Sequence, residues 1–76
     1  SYLFAPFDGY FERHFELGDT IVAGQLGGLM HQLARPDQPP EPVLFASGGT
    51  LYAYGLLGHV RGGQNLAVVI EDVGSP

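Results

Sequence analysis

Three polar residues near the middle of the chain could do chemistry together. His31, Arg35 and Asp37 follow each other within seven positions, beside a run of prolines. On one interpretation they form the rim of a substrate site, where the Arg35 guanidinium attracts a carboxylate. On the other, they belong to a polar loop in which Arg35 and Asp37 only shape a turn. The second interpretation needs fewer assumptions, and the three residues are kept as substrate-rim candidates.

Four carboxylates precede this segment, at Asp8, Glu12, Glu16 and Asp19, with His14 between the two glutamates. Acid/base catalysis would need two of them close together in a desolvated concavity. A solvated strand face explains Glu12, His14 and Glu16 without that assumption. The three histidines, at 14, 31 and 59, show neither a His-x-x-Glu motif nor a second ligand at the usual spacing. The sequence therefore predicts neither a metal site nor a catalytic residue in this chain.

The glycine-rich segments 24–28 and 47–50 could suggest a phosphate-binding loop. Neither is followed by Lys and Ser/Thr, nor by a helix whose N-terminus could hold a phosphate. Hairpin turns explain both segments better, and Ser47 has no adjacent base that would activate it. In the strand predicted just after them, alternation places Tyr52 and Tyr54 on one face, where they cover a channel, a neighbouring domain or the core.

Composition excludes several classes of function. The 76 residues carry a net charge of −5, with three arginines, no lysine and no cysteine. Such a chain cannot build the basic patch of a nucleic-acid reader, and its charge disfavours an anionic membrane surface. Disulfides and cysteine-based zinc sites are impossible. No apolar run reaches membrane-spanning length and no signal-peptide pattern is present, so we expect a cytoplasmic protein.

Two features indicate a piece of a longer polypeptide. Charged residues are only 14% of the chain, low for a small domain with so much exposed surface, so another domain or chain is expected to cover part of it. The sequence also opens with Ser-Tyr-Leu-Phe, already strand-like, although a processed terminus would look the same. The sequence does not decide whether the protein forms a homo-oligomer.

The chain contains an internal repeat of about 40 residues. Residues 3–5 align with 44–46, Gly9 with Gly49, and residues 21–25 with 60–64, at offsets of 41, 40 and 39. Turn residues divide each copy into four predicted strands. These are residues 2–7, 10–15, 20–22 and 26–33 in the first copy, and 43–46, 50–56, 59–60 and 66–70 in the second.

An amphipathic helix over residues 21–33 is the alternative for the end of the first copy, because several apolar residues there recur at helical spacing. Three internal glycines would each cost such a helix about 1 kcal/mol, and the equivalent segment 66–70 is rich in β-branched residues. We therefore predict a strand. Four prolines within residues 36–42 exclude a helix from the connection. The expected organisation is one domain with units at 3–30 and 44–70, a surface loop at 31–43, and a frayed end at 74–76.

Two four-strand units with paired Gly-Asp and Gly-Gln turns resemble the barrel-sandwich hybrid of biotinyl and lipoyl domains. The resemblance covers residues 3–70 and includes the phrase Ala-Pro-Phe-Asp-Gly-Tyr at 5–10. It implies an all-β fold of two pseudo-symmetric units. Carrier domains of that kind attach their cofactor to a lysine amine on the hairpin that joins the halves. This chain has no lysine, so attachment of biotin or lipoate is excluded.

The chain is more similar to the C-terminal domain of the succinylglutamate desuccinylase/aspartoacylase family, in particular its diaminobutyrate deacetylase-like branch. The residues that carry this resemblance are Gly9-Tyr10-Phe11-Glu12, Leu17-Gly18-Asp19, Gly24-Gln25, Arg35-Pro36-Asp37, Pro39-Pro40, and 57–69. It implies that a zinc-dependent catalytic domain precedes this one and deacylates an N-acyl amino acid. This chain would then be an accessory domain that narrows the entrance, with zinc and catalysis in the other domain. The alternative is a lysine-free lipoyl-like adaptor or assembly domain with no catalytic role.

Overall fold

A computed structural model describes residues 1–55 and 57–71 of the chain, and these residues form β-strands and turns only. The all-β prediction is confirmed. No helix occurs in these two ranges, and therefore none that is long and apolar enough to cross a membrane. The eight strands are β1 Tyr2–Phe4, β2 Gly9–Arg13, β3 Thr20–Ile21, β4 Leu26–His31, β5 Glu41–Leu44, β6 Gly49–Tyr54, β7 His59–Val60 and β8 Asn65–Ile70.

The strands form two four-stranded antiparallel sheets. Sheet A has the order β1-β8-β6-β3, and sheet B has the order β5-β4-β2-β7. Each strand of sheet A corresponds to the strand four numbers away in sheet B: β1 to β5, β8 to β4, β6 to β2 and β3 to β7. The two copies of the repeat are therefore related by a pseudo-symmetry. Each copy contributes two strands to each sheet. The copies therefore interlock, and neither can bury its apolar residues without the other.

The turns after β3 and β7 join the copies in the same way. The amide of Ala5 donates to the carbonyl of Gln64 at 2.9 Å, and the amide of Phe45 donates to the carbonyl of Gln25 at 2.9 Å. Each bond runs from the end of the first strand of one copy to the Gly-Gln turn of the other. Positive φ angles of 85° at both Gly24 and Gly63 make these turns possible, because residues with a Cβ rarely adopt that conformation.

The alignment of the first strands of the two copies was wrong by one residue. Leu3 pairs with Ala67 and Val43 pairs with Gly28, which are equivalent positions in β8 and β4. Leu3 and Val43 are buried, whereas Leu44, which the sequence had aligned with Leu3, is exposed. The offset is thus 40 in this strand. A slip of one residue exchanges the two faces of a strand, so burial decides the register.

The strand interpretation of residues 26–31 is confirmed, and the glycines that disfavoured a helix have a packing role in β4. A Cβ added to Gly28 would lie 2.5 Å from Cζ of Phe11 and would overlap the carbonyl oxygen of Glu12. A Cβ on Gly27 would lie 2.9 Å from Cδ2 of Leu3. The absence of side chains lets β4 approach both β2 and the core closely.

Several strand ends differ from the prediction. The strand predicted at 10–15 ends at Arg13, and the strand predicted at 26–33 ends at His31. The strand predicted at 43–46 begins earlier, at Glu41, because Glu41 and Pro42 already pair with Met30 and Leu29. The loop predicted at 31–43 is therefore shortened to residues 32–40. The predicted end of the sixth strand at residue 56 and the frayed end at 74–76 lie outside the described residues.

The two tyrosines of β6 do not share a face. A β-bulge lies between Leu51 and Ala53, so Tyr52 points to solvent while Tyr54 packs on the core. The ring of Tyr54 meets Phe15 edge-on, with centroids 5.5 Å apart, and its hydroxyl accepts a hydrogen bond of 2.9 Å from Nη1 of Arg13. The extra residue of the bulge breaks the alternation on which the prediction relied.

The core lies between the two sheets and draws on both copies of the repeat. Its members are Leu3, Ala5, Phe11, Phe15, Ile21, Met30, Val43, Phe45, Leu51, Val60, Leu66, Ala67 and Val69. All are apolar, and the described residues contain no buried polar or charged side chain. Chemistry in this part of the chain is therefore confined to the two outer faces and the connecting segments.

Candidate functional site

A carboxylate held between two imidazoles forms the main polar cluster on the outer face of sheet B. Oε2 of Glu12 lies 2.5 Å from Nε2 of His14, and Oε1 of Glu12 lies 3.0 Å from Nε2 of His31. An ionised carboxylate only accepts hydrogen bonds, so each Nε2 carries the proton and donates it. We call Glu12, His14 and His31 the Glu-His cluster.

The pairing of β2 with β4 produces this cluster. Glu12 and His14 are two residues apart and point to the same side. The register places Tyr10 opposite His31 and Glu12 opposite Leu29. His31 is therefore the diagonal neighbour of Glu12, a distance that a long side chain can span. The Tyr10 ring meets the His31 ring edge-on, with centroids 6.2 Å apart.

The two histidines stabilise the charged form of Glu12. The hydrogen bond from His14 is the largest cause that lowers the pKa of the Glu12 carboxyl, followed by the hydrogen bond from His31. Partial desolvation acts in the opposite direction and is smaller. The cluster remains open to water, since all three side chains are more than a third exposed. Its contribution to stability is correspondingly screened.

We expect the Glu12 carboxyl to titrate below the ordinary value of a glutamate, about 4.3, when followed by carbon-13 NMR. The variant His14→Gln should raise the pKa of Glu12 more than His31→Gln does, because the His14 hydrogen bond has the larger effect. His59→Gln is the control, since His59 lies opposite Tyr10 on β7 and has no hydrogen bond to Glu12. An equal or larger effect of the control would contradict this assignment.

The same shift makes the stability depend on pH. The pKa of the Glu12 carboxyl is lower in the folded chain than in the unfolded chain. The ionised carboxylate therefore stabilises the fold at pH values above the unfolded-state pKa, and this stabilisation is lost as the pH falls through the folded-state pKa. We therefore expect the melting temperatures of the wild type and Glu12→Gln to differ most above about pH 4.3 and to converge in stronger acid.

The rim candidates lie in two different places. His31 is at the end of β4 and is half-buried against Glu12. Arg35 and Asp37 lie in the exposed segment 32–40, where the Arg35 amide donates to the carbonyl of Gln32 and the Gln38 amide donates to the carbonyl of Arg35. Within the described ranges neither side chain forms an ion pair. A joint role for all three at a substrate rim remains a prediction.

The other carboxylates stabilise turns. Oδ1 of Asp8 accepts a hydrogen bond of 2.7 Å from the amide of Gly62, and Oδ2 of Asp19 accepts one of 2.8 Å from the amide of Glu16. Glu16 itself pairs with Arg13 at 2.9 Å, so it is not part of the Glu-His cluster. These bonds connect the ends of strands and leave no second carboxylate beside Glu12.

The polar groups of the Glu-His cluster lie on an open strand surface. Residues 1–55 and 57–71 form no enclosed pocket, and no group of three or more of their His, Cys, Asp and Glu side chains is arranged to hold a metal ion. The Glu-His cluster can offer two imidazole edges and one negative charge to a polar partner.

Sequence reasoning found part of this cluster. Alternation placed Glu12 and His14 on one strand face, whereas His31, at the boundary of the predicted strand 26–33 and the predicted loop 31–43, was grouped with Arg35 and Asp37. The contact between Glu12 and His31 joins residues 19 apart and depends on the β2–β4 register. The sequence did predict β4 as a strand, and antiparallel pairing of that strand with β2 would have brought His31 near Glu12.

Comparisons with solved structures define the class of protein to which this domain is related. A succinylglutamate desuccinylase/aspartoacylase from Rhodobacter sphaeroides matches 96% of this chain with 30% sequence identity and a TM-score of 0.86. The ectoine utilization protein EutE (DoeB) from Ruegeria pomeroyi matches 90% of it with 29% identity and a TM-score of 0.80. A part of urea carboxylase from Kluyveromyces lactis, 20% identical over 92% of this chain with a TM-score of 0.74, shares the fold alone.

These matches support the succinylglutamate desuccinylase/aspartoacylase family as the family of this chain. The chain covers 22% of the Rhodobacter protein, 21% of the Ruegeria protein and 6% of the urea carboxylase. It thus spans about a fifth of the length of the two family members. No protein-family model and no curated protein matches the sequence.

Proposed function

We propose that this chain is the accessory C-terminal domain of a zinc-dependent amidohydrolase that deacylates an N-acyl amino acid. The observation that carries the proposal is the match to the Rhodobacter protein over 96% of this chain at 30% identity. In this proposal zinc and the catalytic residues belong to a preceding domain, as the resemblance to the family implies. The protein works in the cytoplasm.

The branch of the family is part of the proposal. The likeness to an ectoine utilization protein favours a diaminobutyrate deacetylase-like member. We also propose that the two sheets are a barrel-sandwich hybrid like that of biotinyl and lipoyl domains. The exchange of strands between two pseudo-symmetric copies supports this assignment.

In this proposal the domain shapes access to the active site. Segment 32–40 begins directly after His31, at the end of β4, and residues 33–40 are exposed. Arg35 draws the substrate carboxylate toward the entrance, and His31 and Asp37 line the rim beside it. An exposed guanidinium acts mainly on encounter and binding, so its effect weakens as the salt concentration rises.

The first test is the size and activity of the native gene product. An antibody against this domain should detect a protein several times heavier than 8.1 kDa in source-cell lysate. The purified product should contain zinc and release acyl groups from N-acetyl-diaminobutyrate, N-succinylglutamate or N-acetylaspartate. A native product near 8.1 kDa would leave the adaptor or binding domain as the better hypothesis.

The rim is tested by Arg35→Gln in that longer protein. We expect KM to rise about tenfold at low salt with kcat unchanged, which corresponds to about 1.4 kcal/mol of substrate binding. Arg61→Gln is a matched control, because Arg61 is also exposed but follows β7 in a different turn. Equal effects of the two substitutions would show that only net charge matters.

A further inference from the structure

The two sheets cover one core, but residues of the Asp, Glu, Arg and His types occur in the strands of only one of them. Among residues 1–55 and 57–71, every Asp, Glu, Arg and His that lies within a strand belongs to sheet B, namely Glu12, Arg13, His31, Glu41 and His59. The strands of sheet A, β1, β3, β6 and β8, contain no such residue. The two sheets can be compared strand by strand, because equivalent strands occupy the same order in both and cover the same core.

The outer face of sheet A carries several large apolar residues, and its strands contribute no charged side chain. Tyr2 lies opposite Val68 and Thr50 lies opposite Ile70, so these side chains share the outer surface. The rings of Tyr2 and Phe4 have centroids 5.9 Å apart, and Tyr52 projects from the bulge of β6. We define the apolar face as Tyr2, Phe4, Tyr52, Val68 and Ile70. Four of the five are exposed, and Val68 is partly buried.

The edges of the sheets differ in the same way. β5, an edge of sheet B, carries Glu41 and Pro42, a charge and a proline that discourage pairing with another chain. The equivalent edge strand of sheet A, β1, has only Tyr2, Leu3 and Phe4. Sheet A therefore lacks the charged residues and the edge proline that discourage association of sheet B with another chain. An exposed surface of this composition typically marks a contact with another protein surface.

We propose that the apolar face docks on an uncharged, apolar surface of the catalytic domain of the same polypeptide. This inference rests on the proposed function, in which this chain is about a fifth of the whole protein. Ser1 continues the pairing with β8, since its amino group donates to the carbonyl of Val69 at 2.8 Å. Any polypeptide that precedes Ser1 therefore leaves from sheet A, beside Tyr2. The outer face of sheet B, with the Glu-His cluster, lies on the opposite side of the core from this interface and stays exposed to solvent.

Photo-crosslinking in the full-length gene product tests the docking face. The crosslinker p-benzoylphenylalanine replaces Tyr52 in one variant and Tyr10 in the other, since the two tyrosines occupy equivalent strands, β6 and β2, on opposite sheets. We expect position 52 to crosslink within the same polypeptide, at peptides before Ser1, with several-fold higher yield than position 10. Crosslinks between two copies, or equal yields from both positions, would overturn the inference.

A second pair of variants provides an independent readout. Phe4 and Leu44 are equivalent residues and are 54% and 53% exposed. In the full-length product, Phe4→Glu should lower the melting temperature clearly more than Leu44→Glu, because only Phe4 is covered by the other domain. Equal losses would contradict docking through sheet A. A longer, active product without this asymmetry would refute the docking face alone, whereas a native product of 8.1 kDa would refute the proposed function as well.

Discussion

The variant Gly49→Ala is expected to unfold at a melting temperature at least about 12 °C below that of the wild type. Gly49 begins β6 with a φ of 147°, a conformation that residues with a Cβ rarely adopt. An added Cβ would also overlap the carbonyl oxygen of Ile70, on the neighbouring strand β8. Backbone strain and this overlap together cost about 3 kcal/mol or more, a large part of the stability of a small domain.

The pseudo-symmetry supplies a second variant and a control. Gly9 begins β2 at the position equivalent to Gly49, and a Cβ there would overlap the carbonyl oxygen of His31, as the Gly49 Cβ overlaps that of Ile70. Gly9→Ala should therefore be destabilising too. At Gly55 an added Cβ meets nothing within 4 Å, so Gly55→Ala should change the melting temperature little. Thermal unfolding followed by circular dichroism measures all three. A stable Gly49→Ala variant would mean that β6 and β8 are not packed as described.

The second large effect is expected for Phe11→Ala in the core. The side chain of Phe11 is 2% exposed and packs beside Phe15, with ring centroids 6.2 Å apart. Its truncation removes apolar contacts and leaves a cavity, which costs about 3–5 kcal/mol. Urea unfolding at neutral pH should show a large decrease in the midpoint, or a chain that is unfolded without urea.

Phe4→Ala is the matched control, because it removes the same atoms from an exposed position of the isolated chain. We expect a change below about 1 kcal/mol, since a substitution away from the core is usually mild. If both phenylalanines mattered equally in the 76-residue chain, the assignment of inner and outer faces in β1 and β2 would be wrong. Phe11 also contacts Gly28, so a larger residue at position 28 should destabilise the same contact between β2 and β4.

Much of the fold was predictable because its signals are local. Gly-Asp and Gly-Gln dipeptides identified the turns, since few other residues tolerate the backbone conformations found at Gly18, Gly24 and Gly63. Apolar alternation identified most strands, and the glycines at 27 and 28 correctly argued against a helix. The repeat also aligned Gly9 with Gly49 and Ile21 with Val60, which are equivalent in the structure.

The arrangement of distant strands was decided only in the folded chain. Alternation says which residues of a strand share a face, but it does not say which neighbour the strand pairs with or in which register. The offset of 40 between β1 and β5 and the bulge at Tyr52 therefore escaped prediction, and each places a side chain on the face opposite to the expected one.

The outer surfaces of the sheets show the same difference between what the sequence predicts and what only the folded chain decides. Residue types and spacing were sufficient to predict an all-β fold and to exclude a lysine-linked cofactor, and the family was suggested by a resemblance of motifs to known proteins. Tertiary structure brought His31 to Glu12 across the β2–β4 pair and, within the described strands, placed every Asp, Glu, Arg and His in sheet B. The physical reason is that such surfaces combine side chains from strands far apart in the sequence, which become neighbours only when the backbone hydrogen bonds of the sheets form.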